Sequence, residues 1–234
     1  LPDTPTENAT LGPVIETYRG SRWALGVAVP AVLGIVAAEY SRHGISLGTL
    51  GILALVAFVA CLVLRARVTL HEEGLRWRSI LGTEEILWGD VARLYFSVSR
   101  LNALLSRGNF RLRLEGRDGR RIRIDNQVGR AWVLGKRIAE RTTPLLLPGV
   151  LRRFGSGAEV GFGPIRVSQG DGLRLDRNFD PLHIPWADFA GYRLGRSFLF
   201  LQATGKLTRR VALRSIPNAF VLLALLDHLH PTSV

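Results

Sequence analysis

The sequence predicts an α-helical transmembrane hairpin followed by two α+β domains that share one fold. Three observations carry this prediction. Residues 23–38 and 45–64 hold no charged side chain. The rest of the chain repeats itself at an offset of 98 residues, the step from Gly74 to Gly172. Each half then closes with two alternating, strand-like segments and one helical segment.

Taken in order, the opening stretch LPDTPTENAT is polar, and residues 1–20 are expected to form a disordered tail. No basic segment beside an apolar one marks a signal peptide there. Residues 21–65 are the hairpin. Helices of about 18–21 residues reach roughly 27–31 Å, the thickness of the hydrocarbon core. Trp23 and Tyr40 end the first apolar run, where interfacial aromatics belong. The connector Ser41-Arg42-His43-Gly44 is only long enough to turn. Gly26, Pro30 and Gly34 on one helix, and Gly51, Ala54, Ala57 and Cys61 on the other, offer small surfaces for packing in lipid. Arg19, Arg22, Arg65 and Arg67 flank the inner ends, against Arg42 alone in the turn. The positive-inside rule therefore puts both termini in the cytoplasm. The expected location is the inner (cytoplasmic) membrane, crossed twice, with the membrane itself as a partner.

Residues 66–143 and 158–234 are the two domains, joined by a linker at 144–157 that contains Pro144 and Pro148. The segment GLRWRSILGTEEILWGDVA, Gly74–Ala92, aligns without gaps on GLRLDRNFDPLHIPWADFA, Gly172–Ala190. Gly74 and Gly172, Trp88 and Trp186, and Asp90 and Asp188 coincide. Each tryptophan is read as a core anchor and each aspartate as the cap of a turn. Trp77 is matched by Leu175 and is read as exposed. The strand pairs Phe110–Leu114 with Arg121–Asp125, and Phe198–Leu201 with Arg209–Leu213, lead to helices at Val128–Arg141 and Asn218–His230. The glycine-rich stretch GAEVGFGP, 157–164, lacks Gly-Lys-Ser/Thr and runs into a strand, so it is read as bends and not as a phosphate cradle.

The order of these features is a strand, a turn ending in Gly-Leu, a second strand, Ile-x-Trp-x-Asp, further strands and a terminal helix. It resembles the bacterial pleckstrin-homology-like (PH-like) domain, twice over residues 67–230. With the preceding hairpin it also resembles an uncharacterised family of bacterial membrane proteins. The resemblance implies a seven-stranded, partly open β-barrel closed by a C-terminal helix. It implies lipid binding, protein binding or oligomerisation, and it brings no catalytic residue. In phosphoinositide-binding relatives a basic residue precedes the first strand turn and Lys/Arg-x-Arg follows it. Arg67 and Arg76-Trp77-Arg78 imitate that arrangement. Arg174-Leu175-Asp176 departs from it, and Glu72 and Glu73 occupy the turn of the first copy.

The formal charge of +12 is nearly all arginine, since Lys136 and Lys206 are the only lysines. Such an excess suits nucleic acid, an anionic membrane surface or an acidic protein. The resemblance supplies no base-reading element, so nucleic acid is set aside. Cys61 lies within an apolar run and offers neither a disulfide nor a thiol metal site. His43, His71, His183, His228 and His230 are scattered, and the last two stand two apart, off any single helical face. No Gly-x-Ser-x-Gly nucleophile motif occurs. No enzyme activity, catalytic group, cofactor or metal is expected. Arg65, Arg67, Arg76, Arg78, Arg100 and Arg107 are the candidate contacts to anionic phospholipid. In the hairpin Phe110–Asp125, Arg111, Arg113, Glu115, Arg121 and Arg123 face outward. A three-residue turn with Gly119 in the left-handed region sets Glu115 opposite Arg121 and Arg111 opposite Asp125, so that only Arg113 and Arg123 face a like charge. That face is either simply solvated or in contact with an anionic membrane. The function expected is a membrane-anchored tandem binding or scaffold module. It would mediate protein–protein contact or self-assembly at the cytoplasmic membrane face, with a non-specific anionic-lipid sensor as the alternative.

Overall fold

Alternating apolar and polar residues lay down fourteen antiparallel strands among the residues that the computed structural model describes. Those residues are 11–20, 66–79, 82–99, 109–124, 128, 130–176, 182–195, 197–205 and 208–230, with scattered helical positions between 34 and 58. They divide into two compact units, 1–87 with 126–131, and 88–125 with 132–234.

The first unit holds β1 (Val14–Arg19), β2 (Arg67–His71), β3 (Gly74–Arg78) and β4 (Thr83–Leu87), hydrogen-bonded in that order. Tyr18, Val68, Leu70, Leu75, Trp77 and Ile86 are buried on its inner face. Two readings change here. Residues 14–19, placed in a disordered tail, are an edge strand. Trp77, read as exposed, is 5% exposed, because it alternates inward two residues after Leu75. β1 pairs directly with β2, and the Gly20 N–H donates to the Ala66 carbonyl across 2.8 Å. Everything between those two residues is therefore an insertion into a strand-to-strand turn.

The second unit continues with β5 (Val91–Ser99), β6 (Asn109–Gly116) and β7 (Arg121–Ile124), a three-stranded sheet, and then α1 (Ala131–Gly155). Gly135 lets α1 close onto the rings of Phe96 and Phe110, where any side chain would collide. The sequence of elements then recurs. β8 (Val160–Phe162), β9 (Ile165–Ser168), β10 (Gly172–Leu175) and β11 (Leu182–Ile184) make a four-stranded sheet. β12 (Phe189–Leu194), β13 (Phe198–Ala203) and β14 (Arg209–Ala212) make a three-stranded one, followed by α2 (Ala219–Leu229). In this copy the first two strands are joined only by Gly163 and Pro164. Leu222, Leu225 and Leu226 of α2 fill a core with Ile165, Leu173, Ile184, Leu199 and Leu201.

α1 runs through the stretch expected to be a linker. Each of Pro144 and Pro148 removes a helical hydrogen bond, at a cost of roughly 3 kcal/mol. Leu146, Leu147, Val150 and Leu151 pack against the core, and Phe154 is buried in it. Burying one such side chain contributes about 1.5–3 kcal/mol, so the apolar stripe offsets both prolines.

The expected transmembrane hairpin is overturned. Among the described residues no helix is long and apolar enough to cross a membrane. α1 has the length, at 25 residues, but carries Lys136, Arg137, Glu140, Arg141, Arg152 and Arg153. α2 is apolar but has 11 residues, about 16 Å where roughly 30 Å is needed. The segment 21–65 itself lies almost wholly outside the described residues. The two-pass inner-membrane location, the cytoplasmic placement of both termini and the membrane as an integral partner rested on that hairpin and are corrected with it. The expected barrel is corrected too, since the described strands form no closed barrel. They form four separate antiparallel sheets.

One polar contact ties β12 to α2. The Tyr192 hydroxyl donates to Asp227 Oδ1 across 2.6 Å. Burial first, then this hydrogen bond and the Asp227 charge, hold the Tyr192 pKa above its ordinary value of 10.0. The contribution to stability is complete below about pH 10, where the unfolded tyrosine also keeps its proton, and is lost as the pH rises through the raised pKa. A spectrophotometric titration is expected to show a tyrosine that ionises late, and Tyr192→Phe is expected to remove that late step.

Candidate functional site

The outward face of the first sheet gathers three of the six candidate arginines. Arg67 on β2 lies opposite Arg78 on β3, and Arg19 on β1 lies opposite Arg67. The result is a cross-strand row of three exposed guanidiniums. Directly opposed like charges in a sheet are destabilising, and none of these three has an ion pair among the described residues. Arg76, one row along, is paired with Glu85 opposite it on β4. A cavity of about 450 Å³ runs along this face. Its lining includes Arg67, Arg76 and Arg78, the hydroxyl-bearing Thr17 and Thr69, and His71. His71 Nδ1 donates to the Gly12 carbonyl across 2.9 Å, which fixes the ring. Arg65, Arg100 and Arg107 lie outside the described residues.

The second copy neutralises the matching place. Asp176 stands where Arg78 does, and it accepts from Arg166 Nε at 2.6 Å, while Arg166 also pairs with Glu159 at 2.9 Å. Hydrogen bonding and charge from Glu159 and Asp176 raise the Arg166 pKa. The unbalanced arginine row therefore belongs to the first copy alone.

The basic hairpin of β6 and β7 has the register that its turn predicts. Glu115 lies opposite Arg121 and Arg113 opposite Arg123, and Gly119 has φ +84°. Glu115 is within 3.5–3.6 Å of Arg93, Arg113 and Arg121, so one carboxylate answers three guanidiniums. Arg123 has no ion pair among the described residues.

The repeated Gly, Trp and Asp positions do structural work in both copies. A Cβ on Gly74 would strike the Ile86 carbonyl and Leu11, and one on Gly172 would strike the Ile184 carbonyl. Trp88 and Trp186 each open a one-turn 3-10 helix that ends at Asp90 and Asp188. The Asp90 carbonyl accepts the Arg117 N–H, and the Asp188 carbonyl accepts the Thr204 N–H, both across 2.8 Å. The aspartate thus fastens the next hairpin through its backbone. Trp186 Nε1 is shared between the carbonyls of Ser168 (3.0 Å) and Gln169 (3.1 Å), and its ring packs edge-on against Phe154 and Phe189.

Among the described residues no group of three or more His, Cys, Asp and Glu side chains is placed to hold a metal ion. Sequence reasoning used Arg19 only as a topological signal and missed its place in the row. The signal was the short alternation around Tyr18, obscured by the polar stretch before it and the apolar run after it. No curated protein matches the chain. A family described as of unknown function, DUF6585, matches residues 4–232, nearly the whole length, and the chain belongs to that family.

Proposed function

We propose that the chain is a duplicated, non-catalytic binding module that holds an acidic segment of a protein partner on the outward face of its first sheet. The observation that carries this reading is the row Arg19, Arg67, Arg78. Three neighbouring strands span roughly 10 Å at about 4.8 Å each, the reach of three or four residues of extended chain. A line of charge of that length suits a run of carboxylates better than one compact headgroup. Glu85 already occupies Arg76, which also weakens any claim to a single phosphate there. Each directly opposed arginine pair costs roughly 0.2–1 kcal/mol while the face is empty, and an acidic ligand converts that cost into attraction. The repeated element order, seven strands and one helix in each copy, supports a duplicated module.

The test is titration of the full chain with an oligoglutamate peptide. Binding is expected at about 0.1 M salt and is expected to be largely lost near 1 M, where the Debye length falls from about 10 Å to about 3 Å. Charge reversal by Arg67→Glu with Arg78→Glu is expected to weaken it by tenfold or more. Unchanged affinity in that double variant, with an unchanged far-ultraviolet spectrum, would sink the reading.

A further inference from the structure

The two three-stranded sheets share an arrangement that the acidic-partner reading does not use. On the first, Tyr95 of β5 lies opposite Arg113 of β6, and Arg113 lies opposite Arg123 of β7. On the second, Arg193 of β12 lies opposite Phe200 of β13, and Phe200 lies opposite Arg210 of β14. Arg193 is the residue at offset 98 from Tyr95. The arginine and the aromatic have exchanged strands, yet the stacked pair is kept. The Arg113 guanidinium carbon sits 4.0 Å from the Tyr95 ring centre, and that of Arg193 sits 4.9 Å from the Phe200 ring centre. A guanidinium stacked on a ring is held in orientation while its in-plane N–H donors remain available around the edge.

A cavity lies over each pair, of about 210 Å³ on the first sheet and about 370 Å³ on the second. Among the described residues neither lining includes an aspartate or glutamate. The first adds Ser97, Arg111 and Arg214, and the second adds Gln202, Thr208 and Arg209. Each site thus combines at least three arginines with neutral hydrogen-bond donors; Arg113 is stacked in the first, and in the second Arg210 also lies over a ring, 5.5 Å from the Phe198 centre. Planar forks converging with hydroxyl or amide donors match the tetrahedral oxygens of a phosphate. Glu115 stands at the margin of the first site, at 3.5 Å from Arg113 Nε, and offsets that guanidinium only in part.

We propose that the chain carries two equivalent phosphate-binding sites, one on each three-stranded sheet, that take a phosphate group either free or as a small monoester. They lie on other sheets than the arginine row, so this proposal and the acidic-partner reading stand or fall separately. The test is calorimetric titration of the full chain with inorganic phosphate, and separately with glycerol phosphate, at constant ionic strength set with chloride. Two sites per chain are expected. Arg123→Gln and Arg210→Gln are each expected to remove one site and leave the other, and combining them removes both. Arg123→Lys, which keeps the charge without the fork, is expected to weaken the first site by roughly tenfold while the thermal midpoint stays in place. Tighter binding of glycerol phosphate than of phosphate assigns the sites to esters, and equal binding assigns them to the free ion. Heats no larger than those of added chloride, or a stoichiometry that neither glutamine variant changes, would overturn the proposal.

Discussion

Gly172→Ala is expected to cost roughly 3–5 kcal/mol of folding stability, a large share of the 5–15 kcal/mol that a domain holds. Two effects add. Gly172 has φ +99°, a conformation that residues with a side chain rarely adopt. Its new methyl would also strike the Ile184 carbonyl and lie 2.9 Å from the Pro185 backbone. Backbone atoms in a paired strand cannot rotate away as a side-chain tip would, so β10 or β11 must shift. Gly74→Ala is the internal control. Gly74 meets the equivalent Ile86 carbonyl and the Leu87 backbone at 3.1 Å, but its backbone is not in the positive-φ region and its remaining neighbour is the movable end of Leu11. Its loss is expected to be smaller by about the strain contribution. Denaturant midpoints of the two variants measure both, and a neutral Gly172→Ala would show that the strand pair has room which its carbonyl does not leave.

Asn218→Ala is expected to cost roughly 2–4 kcal/mol. Asn218 precedes α2, yet its partners are on β5, in the other copy of the repeat. Its Oδ1 accepts from the Leu94 N–H at 2.8 Å, and its Nδ2 donates to the Ala92 carbonyl at 2.9 Å. Its own N–H reaches the Leu94 carbonyl at 2.8 Å. An asparagine here imitates one residue of a strand and closes the open edge of a sheet. It does so at φ +53°, a region that asparagine tolerates better than most residues. Alanine loses both side-chain bonds, leaves two edge groups of β5 unanswered and takes on the strain. Asn218→Gly keeps the backbone comfortable and loses only the bonds, so its thermal midpoint is expected between those of wild type and alanine. Asn218→Asp is expected to behave like alanine, because a carboxylate would face the Ala92 carbonyl. Equal midpoints for all four proteins would show that this edge is closed by something other than Asn218.

How much of this was legible in the sequence depended on whether the deciding interaction was local. The register of β6 and β7 was readable because a three-residue turn with a left-handed glycine leaves one pairing of Glu115 and Arg121. The recurrence of Gly74, Trp88 and Asp90 was readable because close backbone approach and a short turn constrain residue type at fixed spacing. The path of α1 was not. Pro144 and Pro148 argue locally for a break, and only the burial of Phe154 and its neighbours in a core built from later residues reverses that. Trp77 was misread because its counterpart, Leu175, is smaller, although both point inward. The hairpin was argued from apolar length, interfacial aromatics and flanking arginines, and none of these says where in the fold the segment is inserted. The arginine row needed β1, and β1 is recognisable as a strand only once its partner, many residues later, is known. Likewise the exchange of arginine and aromatic between Tyr95–Arg113 and Arg193–Phe200 conceals the equivalence from any position-by-position comparison.

The insertion between Gly20 and Ala66 also sets a schedule. During synthesis β1 leaves the ribosome before β2, its partner strand among the described residues, which follows only after the whole stretch 20–66 has been made. At about 5–20 residues per second that is a wait of roughly 2–10 s, long compared with the microseconds in which a hairpin closes. β8 and β9, joined by Gly163 and Pro164 alone, have no such delay. The two copies share an order of strands but not a timetable. While it waits, β1 presents an edge, carrying Val14, Ile15 and Arg19, that is open to pairing with something else.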